Sequence, residues 1–268
     1  MKDLKELTVD DIKDLSLVVF DVDGVIVPRG TKILAEKNRV TYDLKYPPQR
    51  FIDLAKKLLD HVNVAISSGR SMLTIKNMFG ALVGMESANH SFILQGENGG
   101  RINIIADEVS VGHKAAFIHD LYNIKEKLMK ITDPNLSGLE PKETILTIHC
   151  KERVPEIESV MKDYPYYCLW NGEAYDIGAA DVNKGTGLVK IGEYLTAHKK
   201  INADSFKAIA IGDRQNDIDL LKVADISVSA DPDVLKDADF GVFDANFTDP
   251  DKLPGVLLAQ RLVELFEK

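Results

Sequence analysis

LVVFDVDGVIV (residues 17–27) is an apolar run interrupted by Asp21 and Asp23, two positions apart, with Gly24 behind them. Side chains at i and i+2 of a strand point the same way, so a strand that lasts through both aspartates sets two carboxylates over one spot. At about 5–6 Å and an effective dielectric near 20, the pair repels by roughly 3 kcal/mol. A cation, a shared proton or nearby basic groups must offset that cost. The plainer alternative is a strand that ends in a polar turn at Asp23-Gly24.

The chain around this stretch has 268 residues, enough for one large domain or two modest ones with a real core. Its 45% hydrophobic and 28% charged content fits an ordinary soluble globular protein. A net charge of −9 leaves no basic excess to neutralise a phosphate backbone, so nucleic acid is not the expected partner. A small phosphate ligand needs only a few local cations and stays open. Cys150 and Cys168 are too far apart for a CxxC pair and too few for a disulfide framework, so a reduced, cytoplasmic setting is expected. MKDLKELTVDDIKDL (residues 1–15) is charged throughout, unlike a signal peptide. No apolar run approaches the roughly 18–20 residues of a membrane span, so no membrane partner is expected.

Short, continuous apolar runs at Val62–Ser67, Phe92–Gln95, Lys207–Gly212 and Ile226–Val228 predict buried strands of a parallel sheet covered on both faces. Helix-like segments lie between them: Arg50–Leu59, Ser71–Phe79, Thr186–Ala197 and Gln215–Val223. In the third, Leu188, Ile191 and Leu195 share one helical face. The alternation predicts an α/β fold with a doubly wound, Rossmann-like parallel sheet. The middle differs: a strand at Arg101–Ile105, a helix at Lys114–Ile131, a loop rich in turn formers, then strand Thr144–Cys150, helix Val154–Lys162 and strands Tyr166–Trp170 and Ala174–Ile177. Asn171-Gly172 closes the last pair as a hairpin. We therefore expect an α+β cap at residues 100–180 inserted into a core made of 1–99 and 181–268. Thr31–Asp43 is expected to form a flap hairpin turning at Lys37-Asn38, and Asp251–Lys268 an amphipathic helix over the sheet.

Ligands of open α/β sheets sit beyond the carboxyl ends of the strands. Four polar groups occupy those ends here: Asp21 and Asp23; Ser67-Ser68-Gly69-Arg70; Asn183-Lys184-Gly185; and Gly212-Asp213 followed by Arg214, Gln215, Asn216 and Asp217. Each alone has a bland explanation, such as a helix cap or a solvated lysine. Together they make a site for phosphoryl chemistry. Three or four carboxylates suit a hard cation such as Mg²⁺, which bridges to a phosphate oxygen. One aspartate can attack phosphorus while a second carboxyl handles the proton. Ser68 and the amides of a helix start can hold phosphate oxygens, and Lys184 can stabilise the charge that builds up.

The ordered set DVDG (Asp21–Gly24), SSGR (Ser67–Arg70), NKGTG (Asn183–Gly187) and GDRQND (Gly212–Asp217) resembles the four motifs of haloacid dehalogenase superfamily phosphatases. The inserted unit, preceded by ENGG (Glu97–Gly100), resembles the Cof-like branch, which includes sugar-phosphate and phosphoglycolate phosphatases. The resemblance covers residues 15–245. It implies that Asp21 is the nucleophile and Asp23 the general acid and base. It also implies that Ser68, with Gly69, binds the phosphoryl group, that Asn216 lines its site and that Lys184 supports nucleophile and phosphate. Mg²⁺ would be held by Asp21, the main-chain carbonyl of Asp23, Asp213 and Asp217, the last directly or through water. Two departures matter: Val25 stands where the family often has Thr, and Ser67-Ser68 leaves the phosphate hydroxyl ambiguous by one position.

The expected activity is therefore Mg²⁺-dependent hydrolysis of a small phosphorylated metabolite, a sugar phosphate or phosphoglycolate, through an aspartyl-phosphate. A phosphomutase of the phosphomannomutase type, a phosphoacceptor signalling module and a non-catalytic metabolite-binding relative are the alternatives. The compact GDRQND, the second carboxylate of DVDG and the complete set of aspartates and lysine weigh against these three in turn. The six histidines are given structural or solvated roles and Trp170 a packing role in the inserted sheet, while the adjacent Asn171-Gly172 hairpin could reach the mouth of the site. Arg29, Arg101 and Lys114 could meet an anionic substrate tail but are not counted among the site residues.

Overall fold

The computed structural model describes residues 1–30, 32–36, 39–87, 89–104, 107–110, 115–140, 142–198 and 205–268. Fifteen strands run in chain order: β1 (Lys2–Asp3), β2 (Leu17–Asp21), β3 (Lys32–Glu36), β4 (Arg39–Asp43), β5 (Asn63–Ser67), β6 (Phe92–Gly96), β7 (Arg101–Ile104), β8 (Asp107–Ser110), β9 (Leu136–Glu140), β10 (Leu146–Cys150), β11 (Tyr167–Trp170), β12 (Ala174–Gly178), β13 (Ala208–Gly212), β14 (Ile226–Ser229) and β15 (Phe240–Gly241). The helices are α1 (Val9–Ile12), α2 (Gln49–Leu58), α3 (Met72–Met78), α4 (Ala115–Leu128), α5 (Pro155–Met161), α6 (Lys184–Ala197), α7 (Ile218–Val223) and α8 (Pro254–Phe266). Among the described residues, no helix is long and apolar enough to cross a membrane.

Nine strands make the large sheet, in the order β1-β15-β14-β13-β2-β5-β6-β7-β8. From β1 to β6 every pairing is parallel. The opening stretch lies at its centre. In β2, Val18 and Phe20 point into a core shared with α2, α3 and α8, while Leu17 and Val19 point into a second core shared with α6 and α7. Burial on both faces explains why these strands are continuously apolar instead of alternating.

One expected boundary is corrected. The strand expected at Arg101–Ile105, as the start of the inserted unit, pairs antiparallel with β6, and β8 pairs with it in turn. A tight ENGG turn returns the chain beside the strand it has just left, so the core sheet continues to Ser110 and the insertion begins later. The inserted unit is a four-stranded antiparallel sheet, β11-β12-β10-β9, backed by α4 and α5. Strand β9 occupies part of the segment expected to be a loop; Leu139 packs against the core below it. Strands β3 and β4 pair as the expected flap hairpin, but its turn at Lys37-Asn38 lies outside the described residues, as do His113 and Lys114. Cys150 and Cys168 are free thiols.

Candidate active site

Register alone assembles the site. Asp21 at the end of β2 pairs with Ser67 at the end of β5, and Phe20 pairs with Ile211, one residue before Gly212. Asp21, Ser68 and Asp213 therefore leave the sheet side by side. The chain turns sharply after Asp21: Gly24 donates its N–H to the carbonyl of Val27, at a φ of +83° that favours glycine. A Cβ there would sit 2.0 Å from Asp213 Oδ2, so Gly24 is needed for shape as well as for conformation.

Lys184 is the first residue of α6. Asn183 caps that helix and, with Thr186, forms a reciprocal capping box. The helix dipole disfavours a cation at this position. Its ammonium instead turns into the site, 2.6 Å from Asp21 Oδ1 and 2.5 Å from Asp217 Oδ1, with no solvent exposure. The second oxygen of Asp217 accepts from the amides of Asp213, at 2.9 Å, and Arg214, at 3.1 Å. Asp217 thereby fixes both the lysine and the loop that carries Asp213.

Asp21, Asp213 and Asp217 are all buried, with ligand oxygens within 4.8 Å of one another. Burial pushes the Asp21 carboxyl well above its ordinary range, and Asp217 adds to this; Lys184 works in the opposite direction. Burial likewise lifts Asp213 to about 6, opposed by Arg29. Burial alone would lower the Lys184 ammonium, but the charges of Asp21 and Asp217 outweigh it and raise it. Arg29 donates Nε to Asp213 Oδ2 at 2.6 Å. Among the described residues, Asp213 Oδ1 is buried without a hydrogen-bond partner. A buried, unpaired carboxylate oxygen beside two more carboxylates is the donor set a hard divalent cation takes. The residues fit such an ion.

Asp23 lies at the mouth, and Arg70 grips it with two hydrogen bonds, Nε to Oδ2 at 2.8 Å and Nη2 to Oδ1 at 2.7 Å. Ser67 Oγ is fully buried in the sheet, whereas Ser68 faces the cleft with Asp21, Asp23, Gly69, Asp213 and Asn216.

The opposite wall of the cleft comes from the inserted sheet. Glu140, Thr147 and Asp176 form one cross-strand row on β9, β10 and β12. Lys142 Nζ lies 3.1 Å from Glu140 and 2.6 Å from Thr147 Oγ1, and His149 Nε2 lies 3.1 Å from Glu140. Burial works against the Glu140 carboxylate, but Lys142 and then His149 bring it down to about 2. Asn171 and Glu173, flanking the hairpin tip, complete this wall. Sequence reasoning missed these residues apart from Asn171, whose hairpin it allowed to reach the mouth of the site. Their signal is polar side chains at every second position of apolar strands, as in LTIHC and AYDIG. It also missed Arg70 as the partner of Asp23, and it considered Arg29, the partner of Asp213, only as a contact for an anionic substrate tail.

Comparison with known proteins agrees with this architecture. Phosphoglycolate phosphatase of Methanococcoides burtonii is 26% identical over 239 residues, covering 84% of this chain and 88% of the relative. The enzyme of that name from Methanopyrus kandleri is 26% identical over 220 residues, covering 80% and 83%. Among solved structures, the C-terminal domain of Candida albicans trehalose-6-phosphate phosphatase superposes with a TM-score of 0.66 at 18% identity, over 96% of each chain. A trehalose-6-phosphate phosphatase related protein gives 0.64 at 17% identity, over 94% of this chain and 100% of its own. These structures share the fold. Residues 110–249 match the family described as haloacid dehalogenase-like hydrolase, and that span takes in the inserted sheet, Lys184, Asp213 and Asp217. The chain belongs to the haloacid dehalogenase-like hydrolases.

Proposed function

We propose that this enzyme is a Mg²⁺-dependent phosphatase that hydrolyses a small phosphorylated metabolite through a phosphoryl-enzyme formed on Asp21. One observation carries the reading: the ammonium of Lys184, sealed from solvent, bridges Asp21 and Asp217 beside the unpaired oxygen of Asp213. Lys184 holds the Asp21 carboxylate in one orientation, with its other oxygen free to attack phosphorus. As the phosphorus–oxygen ester bond breaks, Asp23 gives its proton to the departing oxygen. Asp23 then takes a proton from water as the water oxygen attacks phosphorus, which releases inorganic phosphate and restores Asp21. Ser68 and the amides after it hold the phosphoryl oxygens, and Arg70 keeps Asp23 over the cleft. Asp21, the Asp23 carbonyl, Asp213 and Asp217 would hold the Mg²⁺, which when bound offsets the negative charge gathered around the phosphoryl group.

The leaving group is a sugar or similar polyol. Support comes from the charge of the inserted wall, where the buried carboxylates of Glu140 and Asp176 stand beside Lys142, His149 and Asn171. Hydroxyls can donate to those carboxylates and accept from the lysine, histidine and amide. The carboxylate of phosphoglycolate would meet two like charges in a poorly solvated place.

The test is release of inorganic phosphate from p-nitrophenyl phosphate, with Mg²⁺ and with a chelator, by the native chain and Asp21→Asn. Metal-dependent release that is lost in the variant is expected. Equal release by both proteins, or release indifferent to the chelator, overturns the reading. A panel of hexose phosphates against phosphoglycolate then tests the leaving group.

A further inference from the structure

ENGG, the segment that links β6 to β7, takes no part in the chemistry proposed above, yet it adopts an uncommon conformation. Glu97 and Asn98 both have positive φ, 54° and 53°, followed by Gly99 at 96°. Two successive non-glycine residues in the left-handed region are costly, and such strain persists only where the surroundings impose it. Three different parts of the molecule meet here. The amides of Glu97 and Asn98 donate to the carbonyls of Arg70, at 2.9 Å, and Ser68, at 3.0 Å, in the phosphate-binding loop. A Cβ on Gly99 would lie 2.3 Å from the carbonyl of Asn183, the residue that caps the lysine helix. The side chains reach the inserted unit.

Glu97 is 1% exposed, and its Oε2 accepts three hydrogen bonds from the loop between β9 and β10. They come from the amide of Glu143 at 2.9 Å, the amide of Thr144 at 2.7 Å and Thr144 Oγ1 at 2.7 Å. Asn98 Nδ2 donates to Asp176 on the wall itself, at 3.3 Å. Gly100 leaves the space that Thr144 fills: a Cβ there would lie 2.0 Å from the threonine oxygen. The carboxylate thus works outward, into the insertion, while the backbone of the same residue is fixed to the loop that carries Ser68 and Arg70.

We infer that Glu97 is a positioning residue that seats the inserted sheet over the catalytic carboxylates, transmitting the geometry of the phosphate-binding loop to the wall that meets the leaving group. Three donors converging on one buried carboxylate oxygen form a directional clasp, in contrast to the sliding contact of an apolar interface. The roles named for the loop and the wall rest on the proposed activity, whereas the seating itself is a matter of geometry.

The experiment is a distance measurement between spin labels at Glu156→Cys, exposed on α5, and Lys57→Cys, exposed on α2, after Cys150→Ala and Cys168→Ala. The otherwise native chain is expected to give one narrow distribution. Glu97→Ala is expected to add a second, longer population while the thermal transition stays cooperative. A residue with a merely structural role would lower the transition temperature without splitting the distance. Should Glu97→Ala fail to fold, Thr144→Val removes one donor and leaves the carboxylate, and a smaller shift in the same direction is expected. A distribution that matches the unsubstituted one in the folded variant overturns the inference. The readout needs no turnover, so it can fail while phosphate release succeeds, or the reverse.

Discussion

Replacing Lys184 with methionine keeps the volume of the side chain and removes its charge, which makes it the sharpest perturbation of the site. Three carboxylates would then share a buried space with oxygens within 4.8 Å of one another. At that separation and an effective dielectric near 20, each ionised pair repels by about 3.5 kcal/mol. Protonating one carboxyl removes two of the three repulsions, about 7 kcal/mol, which exceeds its cost, so the site takes up a proton instead. From the ordinary value of 3.8, holding one carboxyl protonated at pH 7 costs about 4 kcal/mol, and at pH 5 under 2 kcal/mol. Without divalent metal, Lys184→Met should therefore lose at least about 4 kcal/mol at pH 7, a large share of a typical total of about 5–15 kcal/mol, and at least about 2 kcal/mol less at pH 5. Urea unfolding in a chelator at the two pH values measures both. Equal losses at the two pH values, or a loss below about 1 kcal/mol at pH 7, would refute the claim that the ammonium neutralises this cluster.

Glu140 has the opposite sign. Lys142 and His149, acting against burial, hold its carboxyl at about 2 against an ordinary 4.5, so its contribution is complete above about pH 4.5 and is lost as the pH falls toward 2. The shift corresponds to about 3 kcal/mol, and Lys142→Met should flatten the fall in urea stability between about pH 5 and 3 relative to the native chain. Gly24→Ala meets both a φ of +83° and Asp213, whereas Gly84→Ala meets a φ of +76° and open space. Gly24→Ala should cost about 1–3 kcal/mol more in urea unfolding, and equal costs would remove the packing argument. Asp23→Asn should slow leaving-group release from an alkyl phosphate by about 10²–10⁴-fold and from p-nitrophenyl phosphate much less, since that leaving group departs without a proton. Single-turnover rates of leaving-group release, with enzyme in excess, decide this for the two esters, and equal losses would argue against a proton-donating role.

The central sheet and the places where it ends were legible because each rests on local chemistry. LVVFD and AIAIG are apolar on both faces, and only a doubly covered parallel strand accommodates that pattern. The carboxylates followed from asking what could justify charges at such strand ends. Strand β9 was hidden because LSGLE carries a glycine and lacks β-branched residues; its identity comes from pairing with β10. The place of β7 in the large sheet was hidden for a similar reason. A strand's own residues do not say which sheet will accept it, and the ENGG turn that decides the matter is held by contacts with distant segments. The partners Arg29 and Arg70 lie 184 and 47 residues from the carboxylates they hold. Spacing along the chain cannot reveal such pairs.

The proposed hydrolysis passes through a covalent bond between phosphorus and Asp21. The most direct test is an acid quench during turnover of p-nitrophenyl phosphate with Mg²⁺, followed by mass analysis of the peptide that carries residues 17–27. A phosphoryl adduct on Asp21, absent in the chelator and in Asp21→Asn, is the predicted result. Rapid turnover with no adduct on that peptide, or an adduct on another side chain, would contradict it.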